Sequence, residues 1–145
     1  MNIFNANKAE DYIIIIGCGR LGSNLANALS DENGNVLIMD NEKSSFRRLS
    51  ADFGGLSVVG DGLDLDTLKK ANIKDAKAVI AVTNDDNTNI MIAQIARDMF
   101  KVEKVIARLY DPERESVYQE LGIVTICPAI LSAKEVDKLL QGEKL

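Results

Sequence analysis

The clearest pattern in the chain is a series of short apolar, β-branched runs separated by stretches with helical periodicity. This alternation is typical of βαβ units, which build a mostly parallel sheet covered on both faces. The unbroken run Ile13-Ile14-Ile15-Ile16 indicates a central strand that is buried on both faces. The pattern therefore predicts an α/β fold with a doubly wound parallel sheet in a single domain. Its predicted strands are Tyr12–Ile16, Val36–Met39, Leu56–Val59, Ala78–Val82, Lys104–Ala107 and Val124–Ile126.

Two of the intervening helices have recognisable ends. The helix after the first strand is expected to end at Asn33-Gly34, since both residues tolerate the left-handed conformation of a helix C-terminus. Before the sixth strand, Asp111 supplies a capping side chain and Pro112 fits the first helical position. Gly122 is expected to end that helix.

A longer helix is predicted from about Asn87 to Phe100, and it is unusually apolar. One stripe of this helix is expected to face the sheet and consists of Ile92, Ile95, Ala96 and Met99. Ile90, Met91 and Phe100 lie off that stripe. Because an exposed apolar patch is unfavourable on a monomer, we expect one or more of these three to be covered by a neighbouring chain. The sequence thus predicts an oligomer.

The composition fits a soluble domain and weighs against several classes of function. The chain has 145 residues, 46% of them hydrophobic, and no apolar run approaches the roughly 18 residues of a membrane span. The net charge of −5 argues against a nucleic-acid partner, which needs a concentrated basic surface. The chain has no histidine, the commonest general acid-base residue and metal ligand, so we expect a protein that is not an enzyme.

The two cysteines, Cys18 and Cys127, are too few for a disulfide framework and lack the spacing of a zinc site. We expect both to be packing residues without a redox role. Their scarcity fits a reducing cytosol, and the first residues lack the features of a signal peptide. Residues 1–11 are interpreted as a polar extension and residues 12–145 as the domain.

A glycine-rich turn follows the first strand. Gly17, Gly19 and Gly22 have GxGxxG spacing between a strand and an amphipathic helix, the context that a dinucleotide-binding fingerprint requires. Gly17 permits the tight turn, Gly19 lets the backbone approach a pyrophosphate, and Gly22 allows the helix to pack closely on the strand. The turn therefore predicts a Rossmann-type domain that binds an adenine nucleotide. The alternative is a glycine-rich turn that only packs.

Asp40 ends the second strand, 18 residues after Gly22. This is close to the offset of about 20 residues at which a carboxylate binds the adenosine ribose. The same carboxylate would repel a 2′-phosphate, so NADP is expected to bind poorly unless a basic residue compensates. The alternative is a solvated aspartate that caps the next helix, a role that Asn41 could also fill.

Three further stretches accompany the turn Gly17-Cys18-Gly19-Arg20-Leu21-Gly22-Ser23, namely Gly60-Asp61-Gly62, residues 81–89, and Ile106-Ala107-Arg108 with Tyr110-Asp111-Pro112. Together they resemble the TrkA-N family, the N-terminal nucleotide-binding domain of regulators of K+ conductance (RCK domains). The resemblance runs from about Tyr12 to Leu140. It implies a cytoplasmic regulatory subunit that binds NAD(H) or an adenine nucleotide (AMP, ADP or ATP). Its implied partners are a membrane potassium transporter subunit and either further copies of itself or a related RCK subunit.

The resemblance also implies roles for individual residues. The three glycines would hold the diphosphate, Asp40 the ribose and Asp61 the edge of the adenine. Arg20 would contact phosphate, in some family members across a subunit interface, the alternative being a surface cation beside the turn. The predicted cofactor-binding residues are Gly17, Gly19, Arg20, Leu21, Gly22, Asp40, Asn41, Asp61, Thr83, Asn84 and Arg108.

Two of these assignments have evenly balanced alternatives. Residues Thr83 to Asn87 follow the fourth strand at the sheet edge where open α/β sheets bind ligands. They either face the second half of a dinucleotide or form a capping cluster for the next helix. Arg108 ends the fifth strand at the same edge, and is either a ligand or interface contact or an edge charge satisfied within the fold.

The chain departs from the family at two points. Pro128 is followed by Ala129, whereas some members carry an acidic residue there that helps to bind a divalent cation, so no such metal site is expected. Many members continue into a C-terminal ligand-binding domain, so this chain is expected to act alone or with a partner subunit.

Two other classes of function share the fingerprint. A small NAD-dependent dehydrogenase is the main alternative, but it would need an acid-base residue and room for a substrate domain. A redox-sensing transcriptional module would need a helix-turn-helix or a basic patch, and the sequence shows neither.

Overall fold

The computed structural model describes residues 11–31 and 35–142. The strands are β1 (Tyr12–Ile16), β2 (Asn35–Asp40), β3 (Leu56–Val59), β4 (Ala78–Ala81), β5 (Lys104–Arg108) and β6 (Val124–Ile126). The α-helices are α1 (Arg20–Asp31), α2 (Leu65–Lys70), α3 (Asp86–Gln94), α4 (Glu115–Glu120) and α5 (Pro128–Leu140). Within the described ranges, no helix combines the length and the apolar character needed to cross a membrane.

The strands form one parallel sheet in the order β3-β2-β1-β4-β5-β6. This order confirms the predicted doubly wound, Rossmann-type sheet, because the strand order reverses between β1 and β4. In the register of the sheet, Ile16 pairs with Met39 on one side and with Ala81 on the other. The carboxyl ends of three central strands therefore meet at one edge of the sheet.

The central strand β1 divides its side chains between two cores. Ile13 and Ile15 pack with Leu29 and other residues on the α1 side, whereas Ile14 and Ile16 pack with residues such as Leu68 on the opposite side. Because both faces are covered, every position of the isoleucine run can be apolar. Cys18 and Cys127 are buried free thiols, which confirms that they are packing residues.

Most predicted boundaries agree with the structure to within one or two residues. Before β6, Asp111 accepts a hydrogen bond from the Glu113 backbone N–H at 3.0 Å, and Pro112 begins a short 3₁₀ turn that leads into α4. Gly122, with φ of +75°, follows α4 as predicted. Asn33-Gly34 and most of the predicted N-terminal extension lie outside the described residues.

The long apolar helix differs from its prediction. After Gln94 the helix continues as a π-helical turn over Ile95–Met99, and the wider turn rotates the following side chains about the axis. Met99, expected in the buried stripe, is therefore 56% exposed.

The expected interface residues of this helix also change. Ile90 is only 5% exposed and lies in the core beneath α3, and Phe100 packs against the same core. The expectation that a neighbouring chain covers Ile90 is wrong, because α3 buries a broader face against the sheet than one stripe, whereas for the partly buried Phe100 it stays a prediction. Of the three residues named for that role, Met91 is the one left exposed, at 51%.

Candidate functional site

A cleft of about 920 Å³ opens at the carboxyl edge of the sheet. It lies where the strand order reverses, which is where open α/β sheets bind ligands. All the predicted site residues line this cleft except Gly22. The volume falls within the range of about 300–1,000 Å³ that is usual for small-molecule sites.

The three glycines of the turn have three different surroundings. Gly17 has φ of +114°, and a Cβ added there would lie 2.6 Å from the Val82 carbonyl oxygen. A Cβ on Gly22 would lie 1.8 Å from the Gly17 carbonyl oxygen, so this glycine serves helix–strand packing and does not reach the cleft. A Cβ on Gly19 would meet nothing within 4 Å. The backbone at Gly19 therefore borders open space beside the N-terminus of α1, where unpaired N–H groups favour an anion.

Asp40 ties the end of β2 to the glycine-rich turn. Its Oδ2 accepts a hydrogen bond from the Cys18 backbone N–H at 2.7 Å, and its Oδ1 accepts one from the Glu42 N–H at 2.8 Å. The following 3₁₀ helix, residues 43–48, begins after Glu42 without a side-chain cap, so neither Asp40 nor Asn41 caps it. Each carboxylate oxygen of Asp40 keeps acceptor capacity for a ligand hydroxyl.

Two further charged side chains line this part of the cleft. Asp61 is exposed, and its Oδ1 accepts a hydrogen bond from the Leu63 N–H at 2.9 Å. Arg20 is exposed at the first residue of α1. Both side chains are free to turn toward a ligand, although their roles as ligand contacts stay predictions.

The Cys18 thiol lies beneath the turn and donates to the Ser45 carbonyl oxygen at 3.4 Å. Burial, and after it the Asp40 carboxylate, raise the pKa of this thiol. A raised pKa lowers the fraction of reactive thiolate at neutral pH. The residue is therefore part of the packing beneath the cleft.

The opposite part of the cleft is organised by Asn89, which the sequence reasoning missed. This side chain is fully buried on α3. Its Oδ1 accepts hydrogen bonds from the Thr83 N–H at 2.8 Å and the Thr83 hydroxyl at 2.6 Å. Its Nδ2 donates to the carbonyl oxygens of Thr83 and Arg108 at 3.1 and 3.0 Å. The available signal was a polar residue in register with the predicted buried stripe, since Asn89 lies three residues before Ile92 and seven before Ala96.

Arg108 is 6% exposed, and its guanidinium is only partly satisfied within the fold, since its buried Nε has no hydrogen-bond partner among the described residues. Its Nη2 donates to the carbonyl oxygens of Val82 and Thr83 at 3.0 and 2.8 Å. The guanidinium also lies 4.7 Å from the ring centroid of Tyr110, which lines the cleft and was not predicted. Arg108 thus joins the ends of β4 and β5 while remaining part of the cleft wall.

The stretch after β4 caps the next helix, and two of its residues also line the cleft, while their contact with a dinucleotide stays a prediction. Asp85 caps α3, and its Oδ2 accepts from the Thr88 N–H at 2.9 Å and from the Thr88 hydroxyl at 2.7 Å. The Thr88 hydroxyl, followed by the Thr88 N–H, lowers the pKa of Asp85. Thr83 and Asn84 meanwhile line the cleft. Asp86 accepts from the N–H groups of residues 110 and 111 and fixes the loop after β5, a role that the sequence did not predict.

Within the ranges that the structure describes, no group of three acidic, cysteine or histidine side chains is placed to hold a metal ion. The cleft instead offers backbone N–H groups, arginines and single carboxylates. These groups suit an organic ligand that carries both phosphate and hydroxyl groups.

Comparison with known proteins agrees with this geometry. The Trk system potassium uptake protein TrkA of Streptomyces coelicolor is 49% identical over 125 residues, which cover 86% of this chain and 56% of that protein. The chain spans about half the length of the curated relatives it matches.

Solved structures show the same architecture. The GsuK channel bound to NAD superposes with a TM-score of 0.76 at 27% identity, covering 90% of this chain and 23% of that one. GsuK bound to ADP gives a TM-score of 0.76 at 26% identity, covering 96% and 36%. The TrkA-N domain profile matches residues 13–128. The chain therefore belongs to the TrkA-N domain family.

Proposed function

We propose that this chain is the nucleotide-sensing domain of a regulatory subunit of a potassium uptake transporter or channel. Its ligand is NAD(H) or an adenine nucleotide (AMP, ADP or ATP), bound in the cleft. The observation that carries the proposal is the open backbone at Gly19 beside the carboxylate of Asp40. Relatives named for Trk potassium uptake, and GsuK structures with NAD and ADP, support the same assignment.

In this proposal the N-terminus of α1 binds the phosphates. The first N–H groups of a helix lack intrahelical partners, and the helix dipole favours negative charge there. Arg20 adds charge-assisted hydrogen bonds to phosphate oxygens. Asp40 accepts from the ribose hydroxyls, and Asp61 approaches the adenine edge.

We also propose that the domain binds nucleotide without turning it over. Two potential catalytic groups in the cleft already have structural partners: the Cys18 thiol bonds to Ser45, and Asp40 accepts two backbone N–H groups. Nucleotide then acts by favouring one arrangement of the assembly over another, which requires contact with another subunit. That assembly is a homo-oligomer, or one with a related RCK subunit, at the cytoplasmic face of a membrane transporter.

The test is a thermal-unfolding panel with NAD+, NADH, AMP, ADP and ATP. A ligand at about 100 times its dissociation constant adds roughly 2.7 kcal/mol to stability. For a domain of this size, that corresponds to a rise in melting temperature of about 5–10 °C. If none of the five nucleotides moves the midpoint at millimolar concentration, the proposal is wrong.

Two further measurements separate the sensor from its alternatives. A hydride-transfer assay over a panel of alcohols and hydroxy acids should give no turnover, whereas a dehydrogenase would reduce NAD+.

Light scattering with and without nucleotide should give at least a dimer. A monomeric mass in both states at high micromolar concentration would contradict self-association.

A further inference from the structure

Arg48 lies against the glycine-rich turn, although no sequence motif points to it. It ends the 3₁₀ helix that follows β2 and lines the cleft. Its Nη1 donates to the Cys18 carbonyl oxygen at 3.4 Å. The thiol of Cys18 in turn bonds to Ser45 of the same 3₁₀ helix, so this helix is attached to the turn at two points.

Arg48 and Asp40 flank one residue of the turn. The Cys18 N–H donates to Asp40, and the Cys18 carbonyl accepts from Arg48. Across the described residues, no carboxylate lies within 4 Å of the Arg48 guanidinium, so its charge is not neutralised by an ion pair. A guanidinium has five N–H donors, and most of those on Arg48 remain available.

The neighbouring Arg47 provides a contrast. Its Nε donates to the Ser44 carbonyl oxygen at 3.2 Å within the same helix, and the residue does not line the cleft. Both arginines are exposed on the same short helix. The difference between them is that Arg48 alone is directed to the turn beside the ribose-binding carboxylate.

We propose that Arg48 is a specificity-determining residue that accepts a 2′-phosphate at the adenosine ribose. In Rossmann-type sites for NAD the carboxylate at the end of the second strand binds the 2′-hydroxyl, whereas in sites for NADP a nearby arginine accommodates the 2′-phosphate. This chain carries both groups on either side of Cys18, so it binds 2′-phosphorylated adenine nucleotides as well as NAD or ADP. The inference rests on the proposed nucleotide-binding function, and it extends the ligand class beyond it.

The test compares 2′,5′-ADP with 5′-AMP, which differs from it only by lacking the 2′-phosphate, by titration calorimetry. The unmodified protein should bind the two with affinities within about tenfold of each other, because Arg48 offsets the repulsion from Asp40. Arg48→Gln keeps a donor for the Cys18 carbonyl but removes the charge. It should weaken 2′,5′-ADP by at least about tenfold, the usual size of a charge-assisted contact, and change AMP much less.

Three variants serve as controls. Arg48→Lys should keep most of the 2′,5′-ADP affinity, because the positive charge remains. Arg47→Gln is the matched control and should change neither affinity. Asp40→Asn should strengthen 2′,5′-ADP and weaken AMP, because it removes the repelling charge and part of the ribose contact.

The outcomes separate this inference from the proposed function. If the unmodified protein binds neither compound, nor any other adenine nucleotide, both fail. If it binds AMP but binds 2′,5′-ADP about 100-fold or more weakly, Arg48 does not accept the phosphate, and only this inference is overturned. An equal loss of both ligands in Arg48→Gln would also overturn it, because Arg48 would then support the turn without reading the 2′ position.

Discussion

The cleft has two ends that differ in how their polar groups are used. At the near end, formed by Gly19, Asp40, Arg48 and Asp61 beside β1–β3, the side chains of residues 48 and 61 are exposed. Each makes a single hydrogen bond to neighbouring backbone. At the far end, formed by Thr83, Asn84, Arg108 and Tyr110 beside β4–β6, Arg108 is buried and bonded to two carbonyl groups.

This difference separates groups available to a ligand from groups required by the fold. A buried polar group that loses its partner costs about 1–3 kcal/mol, so the buried groups of the far end cannot be redirected without destabilising the domain. The exposed groups of the near end exchange water for ligand at lower cost. We therefore expect substitutions at the near end to change affinity, and substitutions in the far-end network to change stability.

The largest contrast is expected within the glycine-rich turn. Gly22→Val should prevent stable folding, because even its first side-chain carbon would overlap the Gly17 carbonyl oxygen. Gly19→Val should fold with a loss of about 1 kcal/mol or less, since its Cβ meets open space. It should nevertheless lose nucleotide binding, because the side chain would occupy the place of the pyrophosphate. Circular dichroism and calorimetry of both variants test this, and retained affinity in Gly19→Val would place the ligand elsewhere.

The next effect tests the far end. Asn89→Ala would remove four hydrogen bonds and leave the Thr83 N–H without its acceptor. We expect a loss of about 3 kcal/mol in the free energy of unfolding, measured by urea denaturation. Asn41→Ala is the matched near-end control and should change stability by less than about 0.5 kcal/mol, since Asn41 is exposed. A loss below about 1 kcal/mol for Asn89→Ala would contradict the structural role of this network.

A smaller effect concerns affinity at the two ends. Asp40→Ala should weaken ADP and NAD binding by about tenfold, because it removes the proposed ribose acceptor. Asn84→Ala should leave ADP affinity within about twofold, since ADP would fill only the near end. Calorimetric titration of both variants measures the contrast. Equal losses of ADP affinity in the two variants would mean that ADP contacts both ends of the cleft.

The sequence was informative where the structure depends on local patterns. Strand β1 and the separate roles of Gly17 and Gly22 follow from periodicity and from backbone geometry over a few residues. The π-helical turn at Ile95–Met99 was not predictable, because a shift in backbone hydrogen bonding leaves no mark in the spacing of apolar residues. The wrong assignments of Met99 and Ile90 follow from that limit and from the broad buried face of α3.

The residues that complete the site were missed for a different reason. Asn89 and Arg48 act on backbone groups that are distant in sequence, such as the Arg108 and Cys18 carbonyls. No spacing rule connects a helix residue to a carbonyl 19 or 30 positions away, so these contacts required the folded chain. The glycine-rich turn was recognisable because its glycines lie within six residues of each other in the sequence. The contacts of Asn89 and Arg48 join residues that are distant in the sequence and become neighbours only in the folded chain.

The smallest predicted effect is the pH dependence of the far-end cap. The hydroxyl and N–H of Thr88 hold the pKa of Asp85 below its ordinary value in the folded protein. A carboxyl group with a lowered folded pKa stabilises the fold above its unfolded pKa of about 3.9, and that contribution is lost as the pH falls through the folded pKa. Thr88→Val removes the hydroxyl but keeps the N–H, so the pKa of Asp85 should rise partway toward its ordinary value. The acid loss of stability still begins near the unfolded pKa, but it should be smaller and should be complete at a higher pH. Carboxyl NMR titration together with urea denaturation from about pH 3 to 7 tests this. The effect is expected to be small because Asp85 is exposed, whereas the hydrogen-bond network of Asn89 is buried. If Asp85 titrates at the same pH in both proteins, the Thr88 hydroxyl does not stabilise the charged form of Asp85.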